Sequence, residues 1–206
     1  MTAGTAPSPA TVDRSDFRHI LISGTKTGLA TAAGVVVFLV VSRLLPPGIV
    51  RSLLQTIVVL GTAAAATLLP GAWATARTTQ GIAGAAAIGL WGTIVFMAID
   101  IILLRPFHAY PWTWDAVGGG STWWYLPIWW MLGTFVAWLG ALVTAARAAR
   151  GGDPSIRALA LPMLLGGVGF AVGLGISGVM LAPVAAGGGF VVTLIVFAVA
   201  AIARKG

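Results

Sequence analysis

Leu181-Ala-Pro-Val-Ala-Ala-Gly-Gly-Gly189 interrupts a largely apolar run that extends from residue 157 to residue 203. Its reading decides how many times the chain crosses a bilayer. A hydrocarbon core of about 30 Å is spanned by about 20 apolar residues in a helix. The run is therefore too long for one span and sufficient for two, provided the chain reverses. Proline and consecutive glycines punctuate helices, so Pro183 with Ala185-Ala-Gly-Gly-Gly189 reads as a tight turn. With that turn the sequence holds six apolar spans, near 27–45, 53–74, 81–104, 123–146, 157–182 and 185–203. Without it the number is five.

Composition points the same way. Of 206 residues, 58% are hydrophobic and 8% are charged, against about 25% charged in soluble domains. Such a chain cannot cover a water-facing surface, so its surface is expected to face lipid. The expected class is an all-α integral membrane protein, a bundle of about six transmembrane helices. Residues 1–26 form a separate polar N-terminal segment, partly disordered and cytoplasmic. Residues 27–203 form the transmembrane domain. Nothing near the start resembles a secretory signal, with its basic start, short apolar core and small-residue cleavage site.

The basic residues orient the bundle. With the N-terminus inside, Arg14, Arg18, Lys26, Arg77, Arg147, Arg150, Arg157, Arg204 and Lys205 are internal, and Arg43, Arg51 and Arg105 are external. Nine against three satisfies the positive-inside rule. This scatter between apolar runs also argues against nucleic acid as a partner, despite a net charge of +7. Richness in alanine, glycine and arginine suggests a GC-rich bacterial genome, and the expected location is a bacterial inner membrane. Within the N-terminal segment, residues 12–23 allow a short interfacial helix, with Phe17, Ile20 and Leu21 on one face. A lead into the first span is the alternative.

This topology puts residues 105–122 on the outer face. Six of the nine tryptophans fall between Trp112 and Trp130. Trp123, Trp124 and Tyr125 fit interfacial anchors, since indole prefers the headgroup region. Gly118-Gly-Gly120 and Pro127 allow more. If the helix begins at Pro127, residues 121–126 make an elbow, and Trp112 and Trp114 return towards Trp123 and Trp124 as an aromatic box or patch. Trp130, Thr134 and Trp138 share an i, i+4 row deeper in the fourth span.

Asp100 is the most informative single residue. It lies about 6 Å inside the outer end of the third span, where an acid is costly and points to function. A structural ion pair with Arg105, Arg43 or Arg51, a ligand or proton role, and snorkelling all remain open. With Arg105, His108, Tyr110, Asp115 and the loop tryptophans, Asp100 makes up a candidate contact set for a ligand or partner. Small residues supply helix packing faces: Gly169, Gly173 and Ser177; Gly167, Ala171 and Gly175; and Gly81, Ala85, Gly89 and Thr93.

Several activities are disfavoured. The chain has no cysteine and no glutamate, which leaves little for acid–base or thiolate chemistry. Gly175-Ile-Ser-Gly178 resembles the serine motif of rhomboid proteases, but both histidines, His19 and His108, precede it, so that reading is excluded. The same two histidines lie on opposite sides and offer no haem ligation; no cofactor or metal is expected. Length and helix count are similar to those of the substrate-binding membrane components of vitamin importers, in size and topology alone.

The favoured expectation is a non-catalytic subunit of a larger inner-membrane complex that docks a partner through the Trp-rich loop. Its partners would be the bilayer and other membrane subunits or further copies of itself. The alternative is a small-solute transporter or substrate-binding membrane component, with a site under the loop walled by Trp112, Trp114, Trp123 and Trp124. The orientation predicts that a cysteine replacing Gly119 reacts with an impermeant thiol reagent applied to intact cells. Reaction only after lysis inverts the topology.

Overall fold

The computed structural model describes residues 14–104, 125–151, 155–178 and 180–203. Among them there is no strand. The elements are α1 (Phe17–Leu44), α2 (Ile49–Trp73), α3 (Thr79–Ile99) continued by a π-helical stretch (Asp100–Leu104), α4 (Tyr125–Ala149), α5 (Ile156–Ile176) and α6 (Ala182–Ala203). Six helices are long and apolar enough to cross a membrane. The protein is a six-helix membrane bundle.

Local chemistry sets the helix ends. Asp16 caps α1 by accepting the His19 N–H at 2.9 Å, which satisfies one of the orphan donors of a first turn. Leu45-Pro-Pro-Gly48 ends α1, because proline disfavours helix in the residue before it and has no N–H to donate. The helix runs unbroken from Phe17 to Leu44, about 42 Å at 1.5 Å per residue. Residues 17–23 are thus its first turns, continuous with the rest of α1.

The decisive stretch forms two helices, but its turn is displaced. The chain reverses at Gly178, whose φ of 70° is left-handed and carries no Cβ penalty in glycine. Pro183 already lies in the first turn of α6, where a missing N–H costs nothing because those donors are orphans. Gly187, Gly188 and Gly189 are helical. A Cβ at Gly189 would meet Phe170 Cβ at 2.5 Å, so here glycine serves close packing rather than a turn. Likewise α4 starts at Tyr125, and Pro127 lies in its first turn instead of opening the helix.

Lipid gives helices no hydrophobic reason to associate, so packing must hold them. A repeated contact does this. A threonine of one helix sits against a glycine of its neighbour, where an added Cβ would collide with it or crowd it: Thr62 on Gly34 (α2 on α1), Thr27 on Gly92 (α1 on α3, the loosest), Thr93 on Gly133 (α3 on α4), Thr67 on Gly140 (α2 on α4, through its carbonyl as well as its methyl) and Thr193 on Gly166 (α6 on α5). The hydroxyls of Thr27, Thr93 and Thr193 donate to the carbonyls four residues earlier, at 3.0, 2.9 and 2.7 Å. Each is satisfied within its own helix, so it needs no polar partner across the interface.

Four of these seats close a ring, α1–α2–α4–α3. The fifth joins α5 to α6, and this pair leans on α2 and α4. Helix α2 touches all five others. Leu68, Met163, Phe190 and Leu194 are buried in a core shared by α2, α4, α5 and α6. Ile88 and Ala141 anchor a second cluster beside Ala74.

The small-residue rows divide. A Cβ at Gly89 would meet Ala137 of α4, and one at Gly167 would meet Leu60 and the Ala186 carbonyl. Gly169 and Gly173 meet nothing within 4 Å, and Ser177 is exposed. Gly166→Ala should therefore force α5 from α6 and cost about 1–3 kcal/mol. Gly173→Ala should leave stability unchanged or raise it by up to about 1 kcal/mol through helix propensity. Unfolding titrations in mixed micelles measure both; equal effects would contradict the packing assignment.

Candidate functional site

The site lies at the end of the bundle where α1 and α3 finish and α2 and α4 begin. There the four helices of the ring line a partly open cavity of about 430 Å³. Gly34, Val35, Phe38 and Leu39 of α1 form one wall, and Val58, Thr62 and Ala66 of α2 the next. Phe96, Met97 and Asp100 of α3 face Trp129 of α4 across the remainder. The polar side-chain groups on this wall are the Asp100 carboxylate, the Thr62 hydroxyl and the Trp129 indole.

Asp100 is 6% exposed and stands at the first position of the π-helical stretch. Short π segments are rare and occur often at functional sites. The next three residues, Ile101, Ile102 and Leu103, are exposed; the acid alone of these four is turned inward. It makes a polar interaction, while its Oδ1 is buried and accepts no hydrogen bond. A carboxylate withdrawn from water onto an apolar wall is costly unless something compensates it.

Of the residues predicted from sequence, Asp100 is the one that the structure places in the cavity. Arg105, His108, Tyr110, Trp112, Trp114, Asp115, Trp123 and Trp124 lie outside the described residues. Among the described residues the walls are helical and largely aliphatic, with Phe38, Phe96 and Trp129 as the aromatic members. Trp130, Thr134 and Trp138 lie elsewhere, along a groove between α3 and α4 that also takes in Leu90 and Phe135. The Phe135 and Trp138 rings stand 5.9 Å apart there.

The opposite end holds a polar junction. His19 Nε2 donates to the Trp73 carbonyl at 2.9 Å, with Ser23 Oγ 3.3 Å from the same nitrogen. The Arg14 N–H donates to the Ala74 carbonyl at 3.0 Å, and Gln80 Nε2 donates to Ser15 Oγ at 3.0 Å. Nearby, Trp91 Nε1 donates to Thr25 Oγ1 at 3.1 Å. These bonds tie the start of α1 to the α2–α3 turn and to α3, and they read as structural. Among the described residues no group of three His, Asp or Glu is placed to hold a metal ion.

Comparison of the chain with family models, with curated proteins and with solved structures found no match.

Proposed function

We propose that the protein is a solute-binding membrane component, of a transport system or of an inner-membrane complex, with its site in the α1–α4 cavity. The observation that carries this reading is the placement of a buried aspartate, Asp100, among the residues that line a mainly apolar cavity of about 430 Å³. Ligand sites commonly have such a form: a mainly hydrophobic and aromatic lining of about 300–1,000 Å³, with few polar groups that fix orientation. The reading keeps Asp100 as an anchor and moves the walls from the outer loop to the helices. The distribution of basic residues supports an N-terminus inside and a cavity in the outer half of the bundle.

A second reading, a non-catalytic subunit held by a neighbouring helix, is favoured by one observation. A Cβ at Gly169 or Gly173 of α5 meets nothing within 4 Å among the described residues, so another helix could approach this face closely.

Filling the cavity tests the first reading. In lipid nanodiscs, adamantylamine or adamantanol should bind the protein, and Ala66→Phe should abolish that binding. Leu161→Phe, on an exposed position of α5, should leave it intact. Undiminished binding by a monodisperse Ala66→Phe protein would contradict the cavity as the site.

A further inference from the structure

One face of α1 is left to the membrane, and its chemistry changes along its length. Arg18, Ile22, Lys26, Leu29, Ala33 and Val36 follow the 3, 4 spacing of a single helical stripe, and all six are exposed. The other side of the helix, where Gly24, Thr27, Gly28 and Ala32 are buried, packs on α2 and α3. The stripe carries its two charges near the start of α1, with Ile22 between them, and only carbon beyond Lys26. Arg18 and Lys26 are about 12 Å apart along the axis at 1.5 Å per residue.

Among the described residues no group accepts a hydrogen bond or forms an ion pair with either cation. Asp16, the acid nearest in sequence, is engaged as the helix cap, its Oδ2 accepting the His19 N–H at 2.9 Å. Lys26 lies within a helix long and apolar enough to cross the bilayer, and a cation facing lipid there is costly. A lysine lowers that cost by laying its aliphatic stem along the helix and raising its ammonium towards the headgroups. Cα–Cβ bonds in a helix tilt towards the N-terminus, so Lys26 leans back over Ile22 in the direction of Arg18. Positive charge at one level and carbon at the next is the complement of an anionic lipid, with its phosphate and its chains.

We propose that this face of α1 binds an anionic phospholipid of the leaflet at which α1 begins. The phosphate lies over Ile22, between Lys26 and Arg18, and an acyl chain follows Leu29, Ala33 and Val36. A zwitterionic lipid gains less, because its own cationic group opposes the same two side chains. None of these residues lines the α1–α4 cavity, so the site stands independently of the solute-binding reading.

The probes are phosphatidylglycerol and phosphatidylcholine with identical chains. The full protein is reconstituted in nanodiscs holding equal amounts of the two and released into mild detergent, and retained lipid is counted by native mass spectrometry. Phosphatidylglycerol should be retained in preference. Lys26→Gln and Arg18→Gln should each lower that preference by about fivefold, as expected for one basic residue at a headgroup, and the double variant should erase it. Lys26→Arg should keep it. Arg150→Gln, which removes an exposed charge after α4, should also leave it intact. Both substituted positions on α1 are exposed, and either single variant tests the site if the other fails to fold. Equal retention of the two lipids by the unaltered protein would overturn the proposal, as would a preference that survives in a monodisperse double variant. An equal loss in Arg150→Gln would assign the effect to overall charge. Release of the lipid by inorganic phosphate, but not by chloride at the same ionic strength, would assign the site to free phosphate; either result overturns the lipid site.

Discussion

The bundle depends on threonines seated on glycines. A helix pair in lipid gains little by excluding water, so it must gain from contact between atoms. Contact is closest where one helix carries no side chain. Five such sites recur, on Gly34, Gly92, Gly133, Gly140 and Gly166, and each faces a threonine from a neighbouring helix. Threonine suits the role because it is small and its χ1 is restricted, so little freedom is lost when it is seated. Its hydroxyl can also be satisfied on its own helix, as at Thr27, Thr93 and Thr193.

The cavity follows from the arrangement of these seats. Four of them join α1, α2, α4 and α3 into a closed ring, and the cavity lies within that ring. One of them, Thr62 on Gly34, forms part of its wall. Towards the end of the ring the lining side chains are larger, namely Phe38, Phe96, Met97 and Trp129. Small residues at one level bring the backbones together, and bulky ones at the next leave a space between them. Asp100 stands at that level, where α3 passes into its π-helical stretch.

The fold was legible in the sequence to the extent that hydropathy decides it. Six apolar spans and the polar turns between them needed only length and composition. The turn between α5 and α6 was misplaced because Pro183 and Gly187–Gly189 have two physical uses. Proline is as compatible with a first helical turn as with a loop, and glycine as useful for close packing as for reversal. Gly178, a lone glycine beside Ser177, gave a weaker sequence signal than the cluster but carries the left-handed turn. Asp100 was legible as a candidate because an acid in a span is costly wherever it lies. Its neighbours were not. Phe38, Val58 and Trp129 are ordinary membrane residues in sequence, and only the pairing of helices by the glycine–threonine seats brings them to one cavity.

The most direct measurement on this account is a double-mutant cycle at Gly133 and Thr93. The three atoms nearest to a Cβ at Gly133 all belong to Thr93, so the pair is the most direct test of one seat. The account predicts that Gly133→Ala costs about 1–3 kcal/mol when Thr93 is present. In a Thr93→Gly background it should cost close to nothing, because the added methyl then fills the space left by threonine. An equal cost in both backgrounds would contradict the seat and, with it, the ring of helices that lines the cavity.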